Sequence, residues 1–144
     1  MRSCEKYCVS SNKWSGIAPL RKVRYSSASC LFQNKEVFCF NGLNDKDNNI
    51  NSIEYLGLDR DAKWRRLPEI KKLRDKTIFA AIPSKEGILI FSKLFGHYTV
   101  DTLREDEREV ERHSDLSYIM LPITEVWPCF WKGELFAVGV SSMN

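Results

Sequence analysis

Three runs of four consecutive apolar residues punctuate the chain. They lie at 37–40 (VFCF), 88–91 (ILIF) and 135–138 (LFAV). A run without alternation, rich in aromatic or branched side chains, is typical of a short strand that is buried on both faces. Each run follows another apolar stretch and a short turn, and the three turns lie at 33–35, 84–87 and 132–133. Turns this short join antiparallel strands, so each run is predicted to form a hairpin with the strand before it.

The same order of residues returns after 50 positions. The matching pairs are Trp14 and Trp64, Leu20 and Ile70, Arg24 and Arg74, Ala28 and Ile78, and Phe32 and Ile82. After the first apolar run, a polar loop at 43–51 leads to an alternating strand at 52–58 and a further strand at 63–68. Each copy is therefore predicted to be a four-stranded antiparallel meander of about 50 residues, which is the sequence form of a β-propeller blade.

The order of residues within a copy resembles the kelch-repeat family of β-propellers. In that family a blade has an arginine before its first strand, paired glycines after an inner apolar strand, and then a Tyr and a Trp on the outer strands. The matching positions are Arg24, Asn41-Gly42, Tyr55 and Trp64. Tyr7 and Trp14 match the Tyr and Trp of a preceding blade. The second copy departs from the pattern, because Ser92-Lys93 stand where the glycines are expected.

The resemblance implies an all-β chain made of propeller blades. The expected segments are an outer half-blade at 1–20, a blade at 21–70, a degenerate blade at 71–122 and an inner half-blade at 123–144. Closed propellers have about four to eight blades, and these segments amount to about three. We therefore expect either a fragment of a longer propeller or a chain that assembles with other copies or with another kelch protein.

Composition and net charge do not indicate a particular class of binding partner. The chain has 144 residues, of which 43% are hydrophobic, and this is enough for a core. Its 22 basic and 19 acidic residues give a net charge of +3, although residues 1–76 carry +7 and residues 77–144 carry −4. Without an apolar run of membrane-spanning length or a secretory signal, a cytoplasmic location is expected, with all five cysteines reduced.

Candidate catalytic and metal-binding residues are sparse. The two histidines, His97 and His113, and the close pair Cys4 and Cys8 do not supply the four convergent ligands that zinc needs. The sequence 113–115 (HSD) contains the letters of a catalytic triad, but adjacent residues cannot contact one another as nucleophile, base and orienting acid. Phosphate-binding and nucleophile-elbow motifs are missing. We therefore expect a protein that is not an enzyme and that needs no metal or cofactor.

Other conspicuous residues have structural interpretations. Trp14 and Trp64 are expected to pack between blades with each indole N–H bonded to the backbone. The charged segment 103–115 is expected to form a solvated outer hairpin, because its glutamates alternate as on a strand. The basic stretch 63–76 lacks the interleaved aromatic residues of a single-strand binding surface, which argues against nucleic acid as a partner.

Proteins that resemble this chain bind partners through loops on one face of the propeller, namely those between blades and those after inner strands. The resemblance thus predicts a partner-binding surface at Arg21, Lys22, Arg24, Asn44, Asp45, Asp47, Asn48, Asn49, Lys71, Lys72 and Arg74. For Arg24 and Arg74, which the resemblance places at the start of a blade, a structural role stays open beside recognition of acidic side chains. The expected function is a non-enzymatic protein-interaction module for a partner with acidic segments, of the substrate-adaptor or cytoskeletal-scaffold type. Two alternatives stay open: an enzyme of kelch fold, such as an oxidase or a sugar epimerase, and a propeller fragment without a function of its own.

Overall fold

The computed structural model describes residues 2–59, 63–104, 110–115, 123–131 and 134–141, with side chains described in 2–59 and 63–104. Its strands all pair in antiparallel fashion, which confirms the prediction of an all-β chain. The chain divides into two compact units, Met1–Asp75 and Lys76–Asn144. Within the described residues, no helix combines the length and the hydropathy needed to cross a membrane.

Unit 1 (Met1–Asp75) contains a two-stranded hairpin and a four-stranded meander in which sequential strands are neighbours. The hairpin strands are β1 (Cys4–Cys8) and β2 (Lys13–Ile17). The meander strands are β3 (Ala28–Phe32), β4 (Glu36–Phe40), β5 (Ile53–Gly57) and β6 (Arg65–Arg66). A single 3₁₀ turn, Lys71–Leu73, follows β6.

Unit 2 (Lys76–Asn144) repeats the meander and then adds a hairpin. Its meander strands are β7 (Thr77–Pro83), β8 (Ile88–Leu94), β9 (His97–Leu103) and β10 (Val110–Asp115). The hairpin strands are β11 (Ile123–Trp131) and β12 (Glu134–Ser141). Strand β10 pairs with β9, which confirms the predicted hairpin for residues 110–115. Residues 105–109 and the side chains of β10 lie outside the described part of the chain, so the predicted solvent exposure stays a prediction.

The apolar runs lie on the second strand of each meander, as predicted. In unit 1, Phe38 stacks on Phe40 and on Tyr55, with ring centroids 6.0 and 5.7 Å apart. In unit 2, Ile88, Ile90 and Phe91 are almost completely buried. Strands β4 and β8 each pair with a strand on both sides, so these side chains belong to inner strands of their sheets.

The two outer tryptophans have different environments. Trp64 is buried in an apolar cluster with Leu20 and Leu56, and its indole N–H donates to the carbonyl oxygen of Ala18 at 2.7 Å. This confirms the expected backbone hydrogen bond for Trp64. Trp14 is 68% exposed and lies across the β1–β2 hairpin from Tyr7, with ring centroids 5.2 Å apart. The prediction of a buried position is therefore wrong for Trp14, because no described element covers that face of the hairpin.

Candidate functional site

Three connecting segments of unit 1 meet at one end of the first meander. In an antiparallel meander, the start of the first strand, the end of the second, the start of the third and the end of the fourth share one end of the sheet. The segments that reach this end are 21–27, 41–52 and 67–75, which we call the loop rim. All of the partner-binding residues predicted from the sequence belong to these three segments.

Backbone and side-chain hydrogen bonds join the three segments. Tyr25 and Leu43 exchange two backbone hydrogen bonds at 3.0 and 2.8 Å. Asn51 and Asp75 also pair twice, because the Asn51 amide donates to the Asp75 carboxylate at 3.1 Å and accepts from the Asp75 backbone N–H at 3.2 Å. The loop rim is therefore held together by bonds between its segments as well as by the sheet beneath it.

A buried ion pair between Arg24 and Glu54 lies directly under the loop rim. Each side chain is only 1% exposed. The Arg24 guanidinium also donates to the carbonyl oxygens of Asn41 and Ser52, at 2.8 and 2.9 Å, and to the Ser52 hydroxyl at 3.1 Å. Charge-assisted bonds of this kind are about twice as strong as neutral ones. The guanidinium thus ties the segment 21–27 to the ends of β4 and β5.

Glu54 also fixes the backbone of the first basic segment. Its carboxylate accepts from the backbone N–H of Arg21 at 2.7 Å and from that of Lys22 at 3.2 Å. Both side chains are exposed. A single buried carboxylate therefore balances the Arg24 charge and also holds the backbone of Arg21 and Lys22, whose side chains extend into solvent.

This arrangement corrects the sequence interpretation of Arg24. The resemblance predicted a partner-binding side chain, but its guanidinium is enclosed by the meander and cannot reach a partner in this structure. The correction follows from its bonding, because burying a guanidinium is tolerated only when acceptors surround it. Arg24 supports the loop rim from below.

The remaining basic positions of the loop rim are at the surface. Lys71 and Lys72 lie on the exposed side of the 3₁₀ turn, whose Leu73 is buried. Arg74 is exposed as well and pairs with Glu69, with 2.8 Å between Nε and Oε1. The Arg74 hydrogen bond and charge lower the pKa of Glu69. Part of the Arg74 charge is therefore neutralised within the loop rim.

The polar loop 43–51 is ordered by its own side chains. The Asn44 side-chain oxygen accepts from the backbone N–H groups of Lys46 and Asn48, at 2.9 and 3.0 Å. The Tyr25 hydroxyl donates to the Asp47 carboxylate. The four predicted residues that are exposed on this loop are Asp45, Asp47, Asn48 and Asn49, while Asn44 is half-buried. Two carboxylates thus stand on the same rim as the basic side chains.

Gly42 explains part of the sequence motif at 41–42. Asn41 and Gly42 both have positive φ, at 44° and 98°. A Cβ on Gly42 would lie 2.4 Å from the Ser27 hydroxyl and 2.7 Å from the Tyr25 carbonyl oxygen. Only glycine fits this close approach. In the second copy β8 continues through Ser92 and Lys93 to Leu94, so no glycine is needed there.

The second meander contains an equivalent buried ion pair that the sequence interpretation missed. Lys76 Nζ lies 2.6 Å from Asp101 Oδ2 and donates to the Thr99 hydroxyl at 3.1 Å. In the strand register, Phe40 pairs with Ile53 and Phe91 pairs with Val100. Glu54 and Asp101 therefore occupy the same position, each two residues after a hydroxyl side chain. The equivalent of Arg24 is Lys76, and the predicted equivalence of Arg74 is wrong.

Among the side chains that the structure describes, the positions considered for metal or catalysis do not come together. The described residues contain no group of three His, Cys, Asp or Glu side chains placed to hold a metal ion. His97 is exposed on β9. The side chains of His113, Ser114 and Asp115 lie outside the described side chains, although their backbone forms β10.

The exposed thiol of Cys8 has a lowered pKa. It lies 3.3 Å from the Ser10 hydroxyl, and hydrogen bonds from Ser10 and Ser11 lower its pKa to about 7. By contrast, burial raises the pKa of Cys30 to about 12. Since the thiolate is the reactive form, Cys8 is the more reactive of these two thiols near neutral pH.

We expect Cys8 to react with iodoacetamide about ten times faster at pH 8 than at pH 6, because the thiolate fraction rises through a pKa near 7. Cys30 should remain unmodified over this range. Replacing Ser10 with alanine should move the midpoint for Cys8 to higher pH. Mass spectrometry of the alkylated peptides measures both sites in one sample, and a wild-type Cys8 midpoint near pH 9 would contradict the expectation.

Comparisons with known proteins do not assign the chain to a family. No family model matches the chain, and no curated protein is significantly similar to it.

Proposed function

We propose that the chain is a non-enzymatic protein-interaction module of the kelch-repeat type, and that its loop rim binds an acidic or mixed-charge segment of a partner protein. The observation that carries this proposal is the buried Glu54 carboxylate, which fixes the backbone beneath two exposed basic side chains, Arg21 and Lys22. Functional residues commonly lie on loops that a rigid scaffold positions.

The kelch assignment is supported by the match between the two meanders. Each has four sequential antiparallel strands with an apolar second strand. Each also places a buried cation before its first strand and a carboxylate partner on its third strand. A repeated meander with a repeated internal ion pair is what a propeller built from similar blades would contain.

An acidic partner segment is favoured by the charges of the loop rim. Arg21, Lys22, Lys71 and Lys72 are exposed, and both basic segments are bonded to the short stretch 51–54. Because the backbone at Arg21 and Lys22 is already fixed, less conformational entropy is lost on binding there. The carboxylates of Asp45 and Asp47 would discourage a uniformly acidic ligand, which favours a partner of mixed charge.

A cytoplasmic location is part of the same proposal. Cys4, Cys8, Cys30 and Cys39 are free thiols, which is the usual state in a reducing compartment.

The proposal predicts charge-specific binding of an acidic peptide. The probe is a fluorescein-labelled twelve-residue peptide of glutamate and serine with two lysines, so that its charge is mixed but net acidic, titrated by fluorescence anisotropy at low salt. The double variants Arg21→Glu/Lys22→Glu and Lys71→Glu/Lys72→Glu should each weaken binding about tenfold, because each reverses two charges that face the peptide. Added salt should weaken wild-type binding as well.

Lys35→Glu is the matched control. Lys35 is exposed in the β3–β4 turn, at the opposite end of the same meander. It reverses one positive charge, against two in each loop-rim variant, on a surface that the proposal leaves unoccupied, so the affinity should stay close to the wild-type value. Equal losses from Lys35→Glu and from the loop-rim variants would show general electrostatic attraction, and the proposed site would be wrong.

A further inference from the structure

The turn between β8 and β9 contains an aromatic residue in an unfavourable backbone conformation. Leu94 pairs with His97 across a two-residue turn made of Phe95 and Gly96. Both turn residues have positive φ, at 49° and 85°. This is the pattern of a type I′ turn, in which the first position favours Asn, Asp or Gly. A bulky side chain at positive φ is an outlier that usually marks strain.

Neither turn chemistry nor burial explains Phe95. Eight described residues other than glycine have positive φ, and seven of them are Asn, Asp, Ser or Gln. Phe95 is the one apolar member of this set, and its side chain is 92% exposed. Folding therefore gains little from its ring, while the backbone conformation costs stability. Positions that break a local rule without a compensating gain are expected where function requires them.

One lysine lies close to Phe95 along the β8–β9 hairpin. Lys93 lies beside the turn, and its ammonium group sits 4.9 Å from the centroid of the Tyr98 ring. The sequence 92–100 contains no acidic residue. The hairpin tip thus presents one exposed aromatic ring next to a positive charge that a neighbouring ring orients.

We propose that this tip, residues 93–98, is a recognition element whose Phe95 ring inserts into an apolar pocket of a partner protein, with carboxylates at the pocket rim facing Lys93. A buried aromatic anchor with a charged rim is the usual energetic centre of a protein interface. A membrane surface fits less well, because stable anchoring requires more than one apolar group with one cation. The tip belongs to unit 2, so this proposal stands independently of the loop rim.

The first test separates a functional Phe95 from a structural one. Phe95→Asn supplies the residue that this turn prefers, so the melting temperature should rise. Val9→Asn is the matched control, because Val9 is an 82% exposed apolar residue in the β1–β2 turn without positive φ. It should leave the melting temperature unchanged. A lower melting temperature for Phe95→Asn would show that the ring supports the fold, and it would overturn the proposal.

The second test identifies and measures the partner. A photo-crosslinking phenylalanine analogue at position 95 of the full chain should form a discrete protein adduct in cells, and the same analogue at position 9 should not. The captured protein is then purified and titrated with the full chain. Phe95→Asn should weaken this binding at least about tenfold. Lys93→Glu should weaken it as well, whereas Lys85→Glu, in the exposed β7–β8 turn, should not.

Three further results would overturn the proposal. The first is the absence of any adduct at position 95, and the second is an adduct whose affinity is unchanged by Phe95→Asn. The third is binding to vesicles of phosphatidylcholine and phosphatidylserine that Phe95→Asn abolishes, since this would assign the tip to a membrane. Because none of these experiments involves the acidic peptide, failure here leaves the loop-rim proposal standing.

Discussion

Replacing Glu54 with alanine is expected to destabilise unit 1 by about 3–5 kcal/mol, which is the usual cost of leaving one buried charge without its partner. The Arg24 guanidinium would remain 1% exposed without its carboxylate. The backbone N–H groups of Arg21 and Lys22 would lose their acceptor at the same time. Since whole domains are stable by only about 5–15 kcal/mol, Glu54→Ala should leave unit 1 close to unfolding.

Hydrogen–deuterium exchange of the full chain measures this effect where it occurs. Peptides that cover β4 and β5 should lose most of their protection in Glu54→Ala, while peptides from β8 and β9 should change little. Glu54→Gln should be milder, because the amide oxygen can still accept from one of the two N–H groups. Protection that matches the wild type in β4 and β5 would show that the buried pair does not hold the meander.

Glu69→Ala is the control for the loss of a carboxylate in the same unit. It removes the Arg74 partner at a position where both side chains are about half exposed. Exposed ion pairs contribute little to stability. We therefore expect no change in the exchange of β4 and β5. An equal loss of protection in this variant would mean that total charge, and not the buried pair, determines the stability of unit 1.

The strands were predictable because their signal is local. A run of four apolar residues between turn residues has few other ways to be buried, so β4 and β8 agree closely with the runs at 37–40 and 88–91. The outer strands β5 and β6 followed from alternation and from the turn between them. The kelch resemblance itself is a proposal that rests on the order of Arg24, Asn41-Gly42, Tyr55 and Trp64.

The buried ion pairs were harder to find. Matching letters at a constant period of 50 paired Arg24 with Arg74, but the strand register pairs Ala28 with Phe40 and Ala80 with Phe91. The first strands of the two meanders are therefore 52 residues apart, and Lys76 precedes Ala80 by four residues as Arg24 precedes Ala28. A usable signal was present, since Ser52 and Glu54 in one copy correspond to Thr99 and Asp101 in the other. A carboxylate in the middle of a buried strand indicates a buried cation nearby.

Exposure depends on what covers a residue, and a pattern of residues does not record this. Trp14 and Trp64 have equivalent places in the repeat, yet only Trp64 is buried, whereas Trp14 contacts Tyr7 and is otherwise exposed. Likewise the loss of glycine at 92–93 indicated a degenerate copy, whereas the structure has a longer β8 with its turn moved to Phe95 and Gly96. The missing information is what covers Trp14 in the first case and where β8 ends in the second.

Breaking the buried ion pair of unit 2 is expected to cause a second large loss of stability. Lys76→Met should destabilise unit 2 by about 3–5 kcal/mol, because Asp101 is 1% exposed on its side chain and would lose its cation. Replacing both residues, as Lys76→Met/Asp101→Leu, should recover most of this loss. The Thr99 hydroxyl would keep a partner in the Ser92 hydroxyl at 3.0 Å, so the double change leaves the hydroxyl satisfied.

The equivalent double change in unit 1 should recover less of the lost stability than the double change in unit 2. In Arg24→Met/Glu54→Leu the backbone N–H groups of Arg21 and Lys22 still lack their acceptor, whereas Asp101 accepts no hydrogen bond of this kind among those described. Exchange protection of β8 and β9, compared with that of β4 and β5, measures the two recoveries. Equal recovery in both units would mean that Glu54 does not hold the basic segment of the loop rim. Poorer recovery in unit 1 would distinguish a pair that only fills a core from one that also fixes the backbone of a surface loop.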